Sequence, residues 1–262
     1  MEQSAADLTS YSIVRQLRRM LANMNFYLGR DSRVLEFGCG AGAAVYEFRD
    51  AGFDAYGFEI RPSVNLRRPE DERFFRFALT GKPANVPEYT IEQSSFKIPF
   101  DDKFCDFIYS NSTLEHVMDY DMALAENARV LKPGGVAIHT FPPRYVPVEP
   151  HTYVPFGGAI QHYLWYLLWA YLGIRNEYQH HLGPIACAKV NLHYSRTGTN
   201  YLPTKEILRI AARHFREAKL VPHLWELGDE AYLSRRGKLI FALPGLRRLY
   251  NRCSTVVLWL RK

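Results

Sequence analysis

The chain has 262 residues, 47% of them hydrophobic and 23% charged, which excludes a disordered chain and suits one large α/β domain or a domain with an insertion. Its formal net charge of +6 is spread over Arg15, Arg18 and Arg19, Arg67, Arg68 and Arg73, and Arg235, Arg236, Arg247 and Arg248, so there is no dense basic stripe and no nucleic-acid partner is expected. Cys39, Cys105, Cys187 and Cys253 form no C-x-x-C pair and no histidines stand at zinc spacing, so neither disulfides nor a metal site are expected, and a reducing cytoplasm is the natural setting.

The first residues carry no basic segment leading into an apolar one, so no signal peptide is expected. Leu8, Ile13, Leu17, Met20, Leu21, Met24 and Leu28 recur mostly at three- and four-residue steps and predict a helix that leads into the domain within residues 1–30. Arg33-Val34-Leu35-Glu36-Phe37 reads as a buried strand, stopped by Gly38-Cys39-Gly40-Ala41-Gly42. A helix follows to Arg49 or Asp50 and ends at Gly52. Ala55-Tyr56-Gly57-Phe58 is the next strand and stops on Glu59, completing a βαβ unit. Residues 61–90 are polar and charged, without a clear element.

Residues 103–109 form a strand, and residues 119–131 a helix closed by Lys132-Pro133-Gly134-Gly135. Residues 136–141 form another buried strand, broken by Pro142-Pro143. Residues 142–202 are rich in Tyr, His, Trp and Pro and read as an insertion in a single domain spanning residues 1–262. Within them Tyr163, Trp165, Tyr166, Leu167, Leu168, Trp169, Tyr171 and Leu172 are apolar nearly all round a helix, which fits burial, a partner chain, a substrate wall or a membrane surface. The longest apolar run, residues 163–174, is too short to cross a bilayer. A helix over residues 203–215 with Thr204 as N-cap, a strand over 219–226, a short helix over 244–251 and a strand over 254–260 complete the chain.

The glycine turn carries the chemistry. Without Cβ atoms the backbone can approach a ligand closely, and the helix beyond it offers N–H groups and partial positive charge. An acid at the end of the next strand, here Glu59, can accept hydrogen bonds from ribose hydroxyls. Gly38, Gly40 and Ala43 also satisfy the G-x-G-x-x-G/A dinucleotide fingerprint, and a tight turn built only for packing would use the same glycines.

Four motifs in order narrow the choice: Val34-Leu35-Glu36-Phe37-Gly38-Cys39-Gly40-Ala41-Gly42; Ile98-Pro99-Phe100-Asp101-Asp102 with Phe104-Cys105-Asp106-Phe107-Ile108; Leu114-Glu115-His116-Val117; and Ala128-Arg129-Val130-Leu131-Lys132-Pro133-Gly134-Gly135. On these, over about residues 30–141, the chain resembles the class I S-adenosylmethionine-dependent methyltransferase family, in particular its small-molecule branch. The resemblance implies a doubly wound, seven-stranded, mostly parallel sheet of order 3-2-1-4-5-7-6, with the aromatic-rich helical insertion after strand 5 acting as a substrate lid. It implies that Glu36, Gly38, Cys39, Gly40 and Gly42 hold the methionine end of S-adenosylmethionine. Glu59 would take both ribose hydroxyls, Ile60 would pack on the adenine, Ser94, Ser95 and Phe96 would line its edge, and Asn111 would face the methyl donor. Where the family has an acid for the adenine amino group this chain has Ser94, with Glu92 two residues earlier, so a hydroxyl or a backbone carbonyl would replace that carboxylate.

Transfer to an oxygen acceptor asks for a general base, and His151 is the first choice, just past the fifth strand; His116 is the second. His139 lies inside a core strand, and the adjacent His180 and His181 lack partner acids for a metal. Glu149-Pro150-His151 with Val154-Pro155-Phe156-Gly157 is loosely similar to bacterial methyltransferases that accompany polysaccharide or lipid-linked glycan synthesis, which tilts the acceptor toward a small molecule or a sugar hydroxyl. Peripheral membrane contact ranks below these. Two alternatives stay open. One is an NAD(P)-dependent oxidoreductase, for which only Tyr201 and Lys205 match Y-x-x-x-K. The other is a non-catalytic relative that binds the donor.

Overall fold

Strand residues that alternate between two apolar environments dictate a sheet covered on both faces. The computed structural model describes residues 13–60, 74–77, 97–221 and 255–262. In chain order these hold α1 (Ile13–Asn23), β1 (Arg33–Phe37), α2 (Ala43–Asp50), β2 (Asp54–Glu59), β3 (Phe75–Phe77), β4 (Cys105–Asn111), a 3-10 turn (Leu114–His116), α3 (Tyr120–Val130), β5 (Leu131–Phe141), α4 (Tyr163–Tyr171), α5 (Pro184–Thr197), α6 (Thr204–Ala211), β6 (Glu217–Leu220) and β7 (Val256–Arg261). The strands form one mixed sheet in the order β3-β2-β1-β4-β5-β7-β6. β1 runs parallel to β2 and β4, β2 to β3, and β4 to β5, whereas β7 is antiparallel to both β5 and β6.

The alternation is visible residue by residue. Val34, Phe107, Tyr109, Val136, Ile138, Val257 and Trp259 pack on one face with Val14, Leu17 and Leu21 of α1 and Val45 and Phe48 of α2. Their neighbours Leu35, Ile108, Ala137, Leu258 and Leu260 pack on the other with Leu124 of α3 and Ile207 and Ile210 of α6. Glu47 of α2 accepts the Ile13 and Val14 N–H groups at 3.1 Å, which satisfies two of the orphan donors that open α1.

Several boundaries differ from the sequence expectations. β5 begins directly at Leu131, and its pairing with β4 is irregular between Cys105 and Phe107, where Gly134 takes a φ of 80°. The helix stops at Val130, as expected, and the residues of its stop signal also form the irregular first part of β5. Pro203, not Thr204, caps α6, with no side-chain cap bond, because its fixed φ already suits the entry to a helix. The expected strand over 219–226 starts earlier, at Glu217, and β7 runs Val256–Arg261. Ser94, Ser95 and Phe96, and the helix expected over 244–251, lie outside the described residues.

Residues 142–202 leave the sheet after β5 and build a small core of their own from Val154, Tyr166, Ala170, Cys187 and Ala188, between α4 and α5. α4 is amphipathic in practice despite its sequence. Tyr166 and Ala170 are buried, but Leu164, Leu168 and Tyr171 are exposed. Tyr166 hydroxyl bridges Gly157 carbonyl at 2.9 Å and Ser195 hydroxyl at 2.6 Å, which ties α4 to α5. Among the described residues no helix is long and apolar enough to cross a membrane.

Burial separates two truncations that look alike on paper. Ile108→Ala, at a fully buried strand position, should lower stability by about 2–5 kcal/mol. Leu164→Ala, on the exposed face of α4, should change it by less than about 0.5 kcal/mol, both read by urea unfolding.

Candidate functional site

The glycine turn sits between β1 and α2, at the carboxyl end of the parallel strands, where open α/β sheets bind ligands. Gly38 and Cys39 N–H groups both donate to Phe58 carbonyl, at 2.8 and 3.0 Å, pinning the loop to β2. Gly38 has φ 74°, and a Cβ there would stand 2.3 Å from the Thr113 side chain, so this glycine serves close packing against the segment after β4. Gly40, at φ 49°, is different: a Cβ there would meet nothing within 4 Å, so the space over it is open. Glu59 accepts from Gly40 N–H at 3.0 Å and from Ile60 N–H at 2.7 Å, which draws its carboxylate onto the rim of that space. Glu36, 8% exposed, accepts from Val45 N–H at 3.2 Å in the first turn of α2. Burial, opposed by the Val45 bond and aided by nearby Glu59, pushes the Glu36 carboxyl up to about 8. Burial, with Glu36 and Glu59 nearby, also holds the Cys39 thiol far above the usual range, so it is no nucleophile.

Asn111 ends β4 and accepts from Thr140 hydroxyl at 2.7 Å. Thr113 hydroxyl donates to Asn111 carbonyl at 3.2 Å. The next residues form the 3-10 turn that carries Glu115 and His116. From the other side comes the loop after β5. Glu149, with no exposed surface, accepts from His151 N–H at 3.0 Å, Thr152 N–H at 2.7 Å, Thr152 hydroxyl at 2.8 Å and Tyr201 hydroxyl at 2.7 Å. Its Oε1, which takes the Tyr201 bond while the other three fall on Oε2, lies 2.6 Å from His151 Nδ1. Burial alone would raise this carboxyl, but the bonds from His151, Tyr201 and Thr152 overcome it and hold it at about 2. An ionised carboxylate only accepts, so His151 Nδ1 carries a proton, and in the neutral ring the lone pair is on Nε2.

The insertion closes the site from above. His116 Nδ1 lies 2.7 Å from Gly198 carbonyl, Asn200 N–H donates to Glu115 carbonyl at 2.6 Å, and Asn200 side chain donates to Val117 and Met118 carbonyls at 3.0 Å. His116 and His151 rings meet edge to face at 4.8 Å between centroids, and Tyr194 ring flanks His151 at 5.5 Å.

Both expected bases therefore meet, and Glu36, Gly38, Cys39, Gly40, Gly42, Glu59, Ile60 and Asn111 gather at the same end of the sheet. His139 is fully buried, its Nδ1 2.7 Å from Ser110 hydroxyl, and burial presses it down to about 3, so it is a neutral core residue. Three acceptor-side residues escaped the sequence expectations. Glu115 and Glu149 stood beside the chosen histidines as mere motif letters, and Tyr201 was weighed only against a nicotinamide reaction. The expectation of no metal centre rested on the absent C-x-x-C pair, the histidine spacing and the lack of acids beside His180 and His181; in the structure one ligand atom each from Glu115, His116 and His151 lies within 4.8 Å of the others.

A family model described as a methyltransferase domain matches residues 9–184. An uncharacterized methyltransferase of Schizosaccharomyces pombe is 30% identical over 110 residues, 42% of this chain and 39% of its own length. A sarcosine/dimethylglycine N-methyltransferase of Halorhodospira halochloris is 27% identical over 141 residues, 54% of this chain and 47% of its own. The matched part thus spans less than half of each of these curated relatives. A solved S-adenosylmethionine-dependent methyltransferase from Mesorhizobium loti superposes with a TM-score of 0.50 at 14% identity, covering 93% of this chain and 96% of that one.

The two buried carboxylates give opposite pH slopes. Glu36, raised to about 8 from 4.5, lends stability that is fully present below pH 4.5 and lost as pH rises through 8. Glu36→Gln should therefore match wild type at low pH and become the more stable protein above pH 8. Glu149, held at about 2, lends stability present above pH 4.5 and lost as pH falls toward 2, so Glu149→Gln should be less stable at neutral pH and converge on wild type in acid. Melting temperatures across pH check both.

Proposed function

The chain belongs to the class I S-adenosylmethionine-dependent methyltransferase family, and from that premise we propose that it transfers a methyl group from S-adenosylmethionine to an oxygen of a small molecule or a lipid-linked sugar. The fit of the donor site supports this reading. The open space over Gly40, the Glu59 carboxylate at its rim and the buried Glu36 side chain behind it match an adenosyl ligand with a ribose diol at one end and an amino acid at the other. When bound, the donor supplies a methyl group already activated by its sulfonium.

The observation that carries the reading is Thr113. Its side chain packs on Gly38 of the donor loop, and three residues on, His116 packs against His151. Donor loop and acceptor histidines are thus joined through one short segment after β4. His151 Nε2, with its lone pair fixed by the Glu149 bond at Nδ1, accepts the proton of the acceptor hydroxyl. The ordered loop around it, and residues 194–201 above it, exclude water and align the acceptor. In this reading residues 142–202 act as a lid, and the exposed Leu164, Leu168 and Tyr171 of α4 support an amphipathic or lipid-linked acceptor. S-adenosylmethionine and S-adenosylhomocysteine should each stabilise the protein, by about 2.7 kcal/mol at a hundredfold excess over Kd, in a thermal shift that NAD leaves unmoved; the reverse pattern would favour an oxidoreductase.

Gly40→Val should abolish this stabilisation, since the side chain fills the open space and a β-branched residue resists φ 49°. Normal donor affinity in that variant would place the ligand elsewhere. His151→Ala should lower turnover about 10²–10⁴-fold while donor affinity, measured by calorimetry, stays within a few-fold. An unchanged rate would remove it as base.

A further inference from the structure

We propose that Glu115, His116 and His151 form a binding site for one divalent transition-metal ion of the zinc type, at the floor of the acceptor pocket. Glu115 side chain is 1% exposed, and neither of its carboxylate oxygens has a hydrogen-bond partner. A buried carboxylate without a partner either takes up a proton or calls for an electropositive group beside it. The only ligating side chains brought to it among the described residues are the two imidazoles, with one ligand atom from each of the three groups within 4.8 Å of the others.

The imidazoles are prepared as metal ligands are. His116 Nδ1 stands 2.7 Å from Gly198 carbonyl, which can only accept, so Nδ1 carries a proton and, in the neutral ring, Nε2 the lone pair. His151 Nδ1 lies 2.6 Å from a Glu149 carboxylate oxygen, which orients its ring. Carboxylate–histidine and carbonyl–histidine pairs of this kind orient ligating imidazoles and raise their basicity. Two histidines and a glutamate are a ligand set of catalytic zinc sites, which keep a further position open. Ligand atoms on a zinc ion lie about 3.3 Å apart, so the trio, within 4.8 Å, would draw in by about 1.5 Å on binding. Thr152, Tyr201 and Asn176 brace the loop that carries His151, at 2.8, 2.7 and 2.9 Å, and keep the site from collapsing.

The open position would take an oxygen of the acceptor, a part of the inference that rests on the methyl-transfer reading. A metal on Nε2 of His151 uses the lone pair that otherwise takes the acceptor's proton, so the two roles exclude each other at any instant, and uptake is measured directly rather than through turnover.

The test uses the full chain stripped of metal with a chelator, in a His180→Ala/His181→Ala background that removes the exposed histidine pair. Zn²⁺ binding by calorimetry, and the visible ligand-field bands of added Co²⁺, should report one ion per chain in a site of low coordination number. Glu115→Gln should weaken binding by more than about 100-fold, and Glu149→Gln, which leaves all three ligands in place, by about 10–100-fold. Should Glu115→Gln unfold, His116→Gln serves the same purpose, with circular dichroism and S-adenosylhomocysteine thermal shift confirming that each variant is folded. Absent stoichiometric binding, or affinity unaltered by these substitutions, overturns the metal site. S-adenosylhomocysteine stabilisation without metal uptake would overturn the metal site and leave methyl transfer standing. Metal uptake without that stabilisation would do the opposite.

Discussion

A single buried anion organises the part of this protein built by residues 142–202. Glu149 has no exposed surface, yet it stays ionised because its two oxygens collect bonds from His151, Thr152 and Tyr201. Those donors come from the loop after β5 and from the far end of the insertion, residues 52 positions apart in the case of Tyr201. The charge therefore closes the insertion back onto the sheet. It also fixes a backbone that carries Tyr153 at φ 60° and Phe156 at φ 51°, positions that disfavour side chains by about 1–2 kcal/mol each. Such strain persists only where surroundings over-determine it, and it clusters where function needs a fixed geometry.

The donor half depends on a lighter device, the carboxylate of Glu59 laid on Gly40 N–H. Two parallel strands, β1 and β2, bring these groups close, since Phe37 pairs with Phe58, and Gly38 and Glu59 follow them directly. Thr113 fills the place that a side chain at position 38 would need. The two halves are thereby built against each other, and a change in the packing of the donor loop reaches the acceptor histidines within a few residues.

Much of this was legible in the sequence because it is local. The βαβ unit from Arg33 to Glu59 is punctuated by glycines whose positive φ values the turn requires, and the alternating apolar residues of β4, β5 and β7 announce two covered faces. His116 and His151 could be chosen because each follows a strand at its carboxyl end. What stayed hidden is long-range. Nothing near Glu115 in the chain shows that Gly198 and Asn200 cover it, and nothing near Glu149 shows that Tyr201 reaches it. The α4 sequence reads as apolar all round because periodicity cannot tell which side a partner helix will take; α5 takes the side of Tyr166 and Ala170. Motif letters beside a catalytic candidate are thus worth the same scrutiny as the candidate when they are acids.

The account turns on the proton of one ring: the Glu149 contact holds it on Nδ1 of His151, so that in the neutral ring the lone pair stands on Nε2. Long-range proton–nitrogen NMR of the selectively labelled histidine, at neutral pH in chelator, reads this directly. The account predicts a protonated Nδ1 and a lone pair on Nε2. A ring found in the other tautomer, with its proton on Nε2, would contradict it.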